Sequence, residues 1–251
     1  MVNKILSLKD LCKTYYTKNG EVCAIKNINF SVNDGEFICI IGSSGCGKST
    51  LLSILANLDT PTSGKLIWNN DDPTIGYMLQ NDALFPWLTV YENAILGLKI
   101  RKEDTDENKK YVQKLLKDYG LESFANKYPK ELSGGMKQRV ALIRTLAIKP
   151  EILLLDEPFS ALDYQTRLAV SKDVYRIIKR EKKSVIMITH DIAEAVSLAD
   201  RVIVLSKRPG TVKKEYELSF KEELDPIEKR NTTLFNDYYN VLWKDLDDNV
   251  S

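Results

Sequence analysis

At 251 residues, with 43% apolar and 28% charged side chains, the chain can bury a sizeable core and has the composition of an ordinary globular protein. Lys plus Arg number 36 against 35 Asp plus Glu, and a net charge of +1 excludes a global field steering the protein onto nucleic acid or anionic lipid. No apolar run approaches the ~18 residues of a membrane span, and the stretch from Met1 to Lys9 is too short in apolar residues for a signal peptide, so a cytoplasmic chain is expected. In chain order, residues 4–41 read as β-rich: Ile5-Leu6-Ser7-Leu8, then Cys23 to Val32, then Phe37-Ile38-Cys39-Ile40-Ile41. Asn19-Gly20 and Asp34-Gly35 are hairpin-type turn signals between them. Leu51 to Ala56 reads as helix, Pro61-Thr62-Ser63-Gly64 as a turn, and Lys65–Trp68 and Ile75–Leu79 as short strands. From Thr89 to Leu146 the pattern turns helical, with turns at Gly120 and Tyr128-Pro129. There Tyr111, Val112, Leu115, Leu116 and Tyr119 form one apolar stripe for core packing, and the charged segment Arg101–Lys110 reads as a solvated loop. Three further apolar runs, Ile152–Leu155, Ser184–Thr189 and Val202–Leu205, alternate with helices, which predicts a buried parallel sheet. From Asp225-Pro226 one or two amphipathic helices lead into an acidic tail. The cysteines (Cys12, Cys23, Cys39, Cys46) show no C-x-x-C pairing, as expected of reduced thiols.

The chemistry is concentrated in Gly42-Ser43-Ser44-Gly45-Cys46-Gly47-Lys48-Ser49-Thr50, which matches G-x-x-x-x-G-K-[ST] between a strand and a helix. Glycines let successive backbone N–H groups turn inward as a nest for polyphosphate oxygens, and the helix that follows adds its unpaired donors. Lys48 can reach the β- and γ-phosphates and the Ser49 hydroxyl can hold Mg²⁺. Further on, Ile152-Leu153-Leu154-Leu155-Asp156-Glu157-Pro158 is an apolar strand delivering acids at its carboxyl end. Asp156 fits the Mg²⁺-holding acid, and Glu157 is placed to orient or deprotonate a water attacking the γ-phosphate.

Between these two lies Leu132-Ser133-Gly134-Gly135-Met136, opening a helix. Here the chain resembles the ABC-transporter ATPases, whose signature L-S-G-G-Q it departs from at Met136 alone. The resemblance spans roughly residues 4 to 215. It implies that Ser133, Gly134 and Gly135 grip the ATP of a second copy, and that Gln80 is the Q-loop glutamine reaching nucleotide and metal. It further implies that Ser160-Ala161-Leu162-Asp163 is the D-loop, that His190 is the switch histidine at the γ-phosphate, and that Tyr15 stacks on adenine, with Tyr16 as the alternative stacker. His190 is the chain's single histidine, and it ends an apolar strand on the phosphate side.

The implied fold class is α/β: a P-loop NTPase core with a mainly parallel sheet, an N-terminal antiparallel β portion and an inserted α-helical subdomain near residues 86–150. The whole, 1–251, is expected to be one domain with a C-terminal helical extension near 225–251. Leu84-Phe85-Pro86-Trp87-Leu88-Thr89-Val90, Glu92-Asn93 and Lys207-Arg208-Pro209-Gly210 resemble the nitrate/sulfonate/taurine importer branch. The resemblance implies ATP and Mg²⁺ as cofactors and a head-to-tail dimer with two ATP molecules between subunits. It also implies integral membrane permease subunits, an extracytoplasmic solute-binding protein and a peripheral place on the cytoplasmic face of the membrane. Trp87 is read either as an anchor for a membrane subunit or as packing within the insertion. No extra β-domain of the sugar-importer kind is expected before Ser251. A soluble ABC ATPase acting on DNA or ribosomes is the alternative from another class, disfavoured by the short insertion, the single cassette and the neutral charge. An inert docking subunit is a third reading, against which Lys48, Asp156, Glu157 and His190 all stand.

Overall fold

The computed structural model describes residues 3–18, 20–220 and 224–247. In chain order its strands are β1 (Lys4–Thr17), β2 (Gly20–Asn33), β3 (Phe37–Ile41), β4 (Ser63–Trp68), β5 (Ile75–Met78), β6 (Ile152–Asp156), β7 (Ser184–Ile188), β8 (Arg201–Leu205) and β9 (Val212–Glu217). Its helices are α1 (Lys48–Leu55), α2 (Val90–Arg101), α3 (Asp106–Asp118), α4 (Gly134–Ala147), α5 (Tyr164–Arg180), α6 (Ile192–Leu198), α7 (Pro226–Arg230) and α8 (Thr233–Asp247). A six-stranded sheet, ordered β5-β6-β7-β3-β8-β9, is parallel from β5 through β8; β9 runs antiparallel at its edge. The second sheet, β2-β1-β4, is antiparallel throughout.

The continuous apolar character of β3, β6 and β7 follows from burial on both faces. Ile38, Ile40, Leu154, Ile186 and Ile188 face α1 and the inner face of the small sheet, where Leu51, Leu52, Leu8 and Ile28 meet them. Phe37, Cys39, Ile41, Leu153, Leu155, Val185 and Met187 face the helical side, with Val140, Ile143, Val174 and Val196. Each fully buried aliphatic side chain of this kind contributes roughly 1.5–3 kcal/mol of transfer free energy. Burial buries the Cys39 thiol as well and raises its pKa.

Four differences from the sequence reading have physical causes. Strand β9, Val-Lys-Lys-Glu-Tyr-Glu, escaped it because an edge strand with one solvated side lacks a continuous apolar run. The Asp34-Gly35 turn joins two sheets instead of closing a hairpin: β2 pairs with β1, and β3 with β7 and β8. The charged segment is mostly helix, because α2 runs to Arg101 and α3 starts at Asp106, capped by the Thr105 side chain accepting from Asn108 N–H. Gln80 leads into irregular backbone, and the helix of the insertion starts only at Val90. Asn19 and the acidic tail after Asp247 lie outside the described residues. At the C-terminal end, Phe235 and Leu242 of α8 join the main core, and Asp245 of α8 takes hydrogen bonds from Tyr216 and Lys214 of β9 and its neighbourhood.

One buried amide organises the segment between β5 and α2. Asn93 is fully buried; its Oδ1 accepts from Phe85 N–H at 2.8 Å and its Nδ2 donates to the carbonyls of Phe85, Leu88 and Thr89 at 3.0–3.1 Å. Thr89 then caps α2 in a reciprocal box with Glu92. Asn93→Ala leaves these backbone groups unpaired, at a cost of about 3 kcal/mol. The expected result in scanning calorimetry is a melting midpoint lower by about 6–12 °C for a domain of this size. Hydrogen exchange should speed up over 85–89 while β3 stays protected; an unchanged midpoint would show that the amide is dispensable.

Candidate functional site

The carboxyl ends of β3, β6 and β7 open into one cavity of about 520 Å³. Its wall carries Tyr15, Ser44, Gly45, Gly47, Lys48, Ser49, Thr50, Gln80, Glu157 and His190, groups that the sequence analysis drew from five separate stretches. Val22, Ala24 and Arg208 complete the lining and were not foreseen there. Arg208 appeared in the sequence analysis only within a branch resemblance.

The loop from Gly42 to Gly47 turns tightly between β3 and α1. Gly47 caps α1 with φ 104°, and a Cβ there would stand 2.7 Å from the Ala24 carbonyl and 2.5 Å from an Ile25 methyl, so no other residue fits. The Lys48 side chain is buried, with Nζ donating to the carbonyls of Gly42 at 2.7 Å and Ser43 at 3.0 Å, which holds a positive charge at the centre of the loop. Gly42 and Ser43 lie behind the wall, and the Cys46 side chain is buried beneath the loop.

Opposite stands a cluster of polar groups around Glu157. Its backbone is left-handed at φ 44°, an unfavourable conformation for a glutamate, held by its own N–H bonded to the Ile188 carbonyl at 2.9 Å. The Glu157 carboxylate lies 3.0 Å from His190 Nδ1 and accepts from Gln80 Nε2 at 3.4 Å. Ser160 Oγ donates to the Glu157 carbonyl at 3.0 Å. His190 follows buried Thr189, whose hydroxyl donates to Glu194 at 2.7 Å; Asp191 caps α6. Burial, then the Asp191 charge, raise the pKa of Glu194 against the pull of the Thr189 hydrogen bond.

Asp156 ends β6 just behind the cavity wall. The Tyr77 hydroxyl lies 3.5 Å from its Oδ2, and burial together with that carboxylate pushes the Tyr77 pKa up to about 12. The oxygen donors here, the Asp156 carboxylate and the exposed Ser49 hydroxyl, suit a hard cation that keeps waters and phosphate oxygens in its shell, so they fit Mg²⁺. On the adenine question, Tyr15 stands on the cavity wall with its hydroxyl donating to Asp59 at 2.9 Å and Lys13 Nζ 4.9 Å from its ring. Tyr16 is off the wall and 71% exposed.

Ser133, Gly134, Gly135 and Asp163 are not on this wall. Ser133 caps α4, accepting from Met136 N–H at 3.4 Å, and leaves its hydroxyl and Gly134 at the surface. Gly134 and Gly135 pack so closely on Leu162 and Val170 that Cβ atoms there would come within 3.1 and 2.9 Å of them. Asp163 caps α5, accepting from Thr166 N–H at 3.0 Å, and those hydrogen bonds hold its carboxyl below the usual range. Phe85 and Trp87 stand together on the surface with ring centroids 5.2 Å apart, Trp87 being 68% exposed, so it does not pack the insertion.

Residues 25–160 match the family described as ABC transporter. An uncharacterised ABC transporter ATP-binding protein of Bacillus subtilis, YtlC, is 43% identical over 249 residues, covering 96% of this chain and 95% of that protein. The nitrate import ATP-binding protein NrtD of a Synechocystis species is 47% identical over 217 residues, covering 84% of this chain and 81% of that one. Among solved structures, the dimeric post-hydrolysis state of the ATP-binding cassette MJ0796 bound to ADP and Pi superposes with a TM-score of 0.73 at 35% identity, covering 86% of this chain and all of that one.

Burial, reinforced by the adjacent Glu157 charge, raises the Asp156 pKa over the opposing effects of Tyr77 and Lys48. A carboxyl whose folded pKa exceeds its unfolded value stabilises the fold fully only below the unfolded value, about 3.9, and that contribution is lost as pH rises through the folded pKa. At neutral pH the ionised Asp156 therefore strains the nucleotide-free protein. Asp156→Asn should raise the melting temperature at pH 7 and lose that advantage as pH falls towards 4. Equal melting temperatures at pH 7 would show that the acid costs the fold nothing.

Proposed function

The chain belongs to the ABC transporter family as an ATP-binding, ATP-hydrolysing subunit, and on that premise we propose that it powers uptake of a small anion of the nitrate, sulfonate or taurine kind through partner membrane subunits. The observation that carries this reading is the division of the site: phosphate loop, Gln80, Glu157 and His190 share one cavity, while Ser133 of the same chain presents its hydroxyl away from it. A second copy placed head to tail would bring its Ser133, Gly134 and Gly135 to that cavity. The dimeric state of the MJ0796 cassette supports such an arrangement.

Within the site, backbone N–H groups of Ser44, Gly45 and Gly47 on the wall would cradle the polyphosphate, with Gly42, Ser43 and Cys46 shaping the loop behind them, and Thr50 at the start of α1 would add a hydroxyl. Lys48 would neutralise charge on the β- and γ-phosphates. Mg²⁺, held by Ser49 and Asp156 with Gln80 near it, would screen the charge that develops as the terminal phosphoryl group departs. Glu157, oriented by its contacts to His190 and Gln80, would take the proton of the attacking water. His190 would position the γ-phosphate, and Tyr15 would face the adenine. Asp163, on the loop leading to α5, would take part from the neighbouring copy's side.

We assign the whole chain to one cassette, with its helical subdomain near 86–150 and a C-terminal helical extension described from Asp225 to Asp247. Among the described residues no helix is long and apolar enough to cross a membrane; the import role named for NrtD supports a peripheral place on the cytoplasmic face, bound to permease subunits. The Phe85–Trp87 pair, clamped from below by Asn93, is the proposed seat for a permease segment. An extracytoplasmic solute-binding protein would deliver the anion. The substrate of NrtD and the branch motifs support the anion class.

Glu157→Gln should lower Mg²⁺-dependent ATP turnover by at least about 100-fold while ATP binding is retained. The same variant should elute as a dimer in MgATP and as a monomer without it. Tagged and recovered from gently solubilised membranes, it should bring down a multi-spanning protein. Recovery of ribosomes or nucleic acid alone would overturn the importer reading, and undiminished turnover would overturn the role of Glu157.

A further inference from the structure

The loop between β8 and β9 reaches back across the chain to touch the phosphate loop. Arg208 Nε donates to the Gly45 carbonyl at 3.0 Å, and a Cβ built on Gly45 would lie 3.3 Å from Arg208 Nη2, so the guanidinium runs along the outer side of the loop. It stands on the wall of the cavity. Two residues on, Gly210 is fixed from two directions: its N–H donates to Ala24 O and its carbonyl accepts from Lys26 N–H, both at 2.9 Å. A Cβ on Gly210 would stand 2.1 Å from the Cys46 carbonyl, so the two backbones are in direct contact. Ser206 N–H donates to Thr211 O at 3.0 Å and closes the base of the loop.

Arg208 is thus a positive group set in place before any ligand arrives. A guanidinium has five N–H donors, and among the described residues Nε to Gly45 is its one hydrogen bond, with no ion pair. The cavity lining contains two permanent cations, Lys48 and Arg208. Lys48 is buried at the base of the loop, whereas Arg208 is exposed at the rim, tethered through Gly210 to Ala24, which lines the cavity with Tyr15.

We propose that Arg208 is a nucleotide-binding residue, contacting the α- and β-phosphates between the Tyr15 side of the cavity and Lys48 while its Nε holds the Gly45 peptide in place. This rests on the nucleotide reading above and adds a residue to it. The planar fork suits bidentate contact with phosphate oxygens, which lysine does not reproduce.

The test is titration calorimetry of the full chain with MgADP, and of the Glu157→Gln background with MgATP, for Arg208→Ala, Arg208→Gln and Lys48→Ala. Loss of one charge-assisted contact should weaken both nucleotides about tenfold, with the ratio of the two affinities unchanged. Salt dependence should become shallower in both Arg208 variants. Glutamine keeps a donor for Gly45, so Arg208→Gln should retain the nucleotide-free melting temperature, which separates the lost charge from a disturbed loop. MgADP affinity within twofold of the parent in Arg208→Gln, with Lys48→Ala still impaired, would overturn the proposal and leave the nucleotide site standing. Normal MgADP binding with impaired MgATP dimerisation would also overturn it, making Arg208 a contact to the second copy. A parent protein that binds neither nucleotide would sink the reading on which the proposal rests.

Discussion

The register of three neighbouring parallel strands decides where the candidate reacting groups stand. Asp156 of β6 pairs with Ile188 of β7, and Ile188 pairs with Ile40 of β3. Within two residues of that row, the chain delivers Gly42 to one side, Glu157 to another and His190 between them. Because side chains alternate along a strand, a slip of one residue would turn Asp156 away and move buried Ile188 to the opposite face. The dense apolar layers on both faces forbid that slip. The site's precision is thus inherited from the packing of residues that take no part in chemistry.

The phosphate loop adds a second constraint, of space instead of register. Its turn is closed from outside by other backbone: Ala24 against Gly47, and Gly210 against Cys46. These contacts come from β2 and from the β8–β9 loop, elements far apart in sequence, so the loop is a junction of three segments more than a local turn. That explains why the small sheet has to sit where it does. It supplies Tyr15, Val22 and Ala24 to the cavity wall and simultaneously braces the loop that forms its base.

How much of this was legible in the sequence depended on whether the cause is local. The glycines, Lys48 and Ser49 form a contiguous motif whose geometry follows from its own residue types, and the apolar runs of β3, β6, β7 and β8 report burial on two faces directly. The Glu157–His190 contact needs the β6–β7 register, which no single stretch reveals, and the family resemblance supplied what pattern reading could not. Strand β9 was missed because half its residues are solvated; the start of α3 was missed although Thr105 before Asp106-Glu107 is a capping signal. Arg208 meets Gly45 across 163 positions. Its only local hint was an arginine beside Pro209-Gly210, and a glycine that must approach another backbone looks in sequence like any turn glycine.

The cavity's charges are also arranged in space. Lys48 and Arg208 stand on the phosphate-loop side; Asp156 and Glu157 stand together at the end of β6. Burial raises the Asp156 pKa, and repulsion from the adjacent Glu157 adds to it. The two sides therefore ask for different things: one for an anion, the other for a cation and a polarisable water. A metal-bound polyphosphate would satisfy both at once, with its negative chain against the loop and its cation against the acids. Charge left uncompensated by the chain itself would, on the proposed reading, give a bound nucleotide the leverage to change how this subunit meets its neighbours.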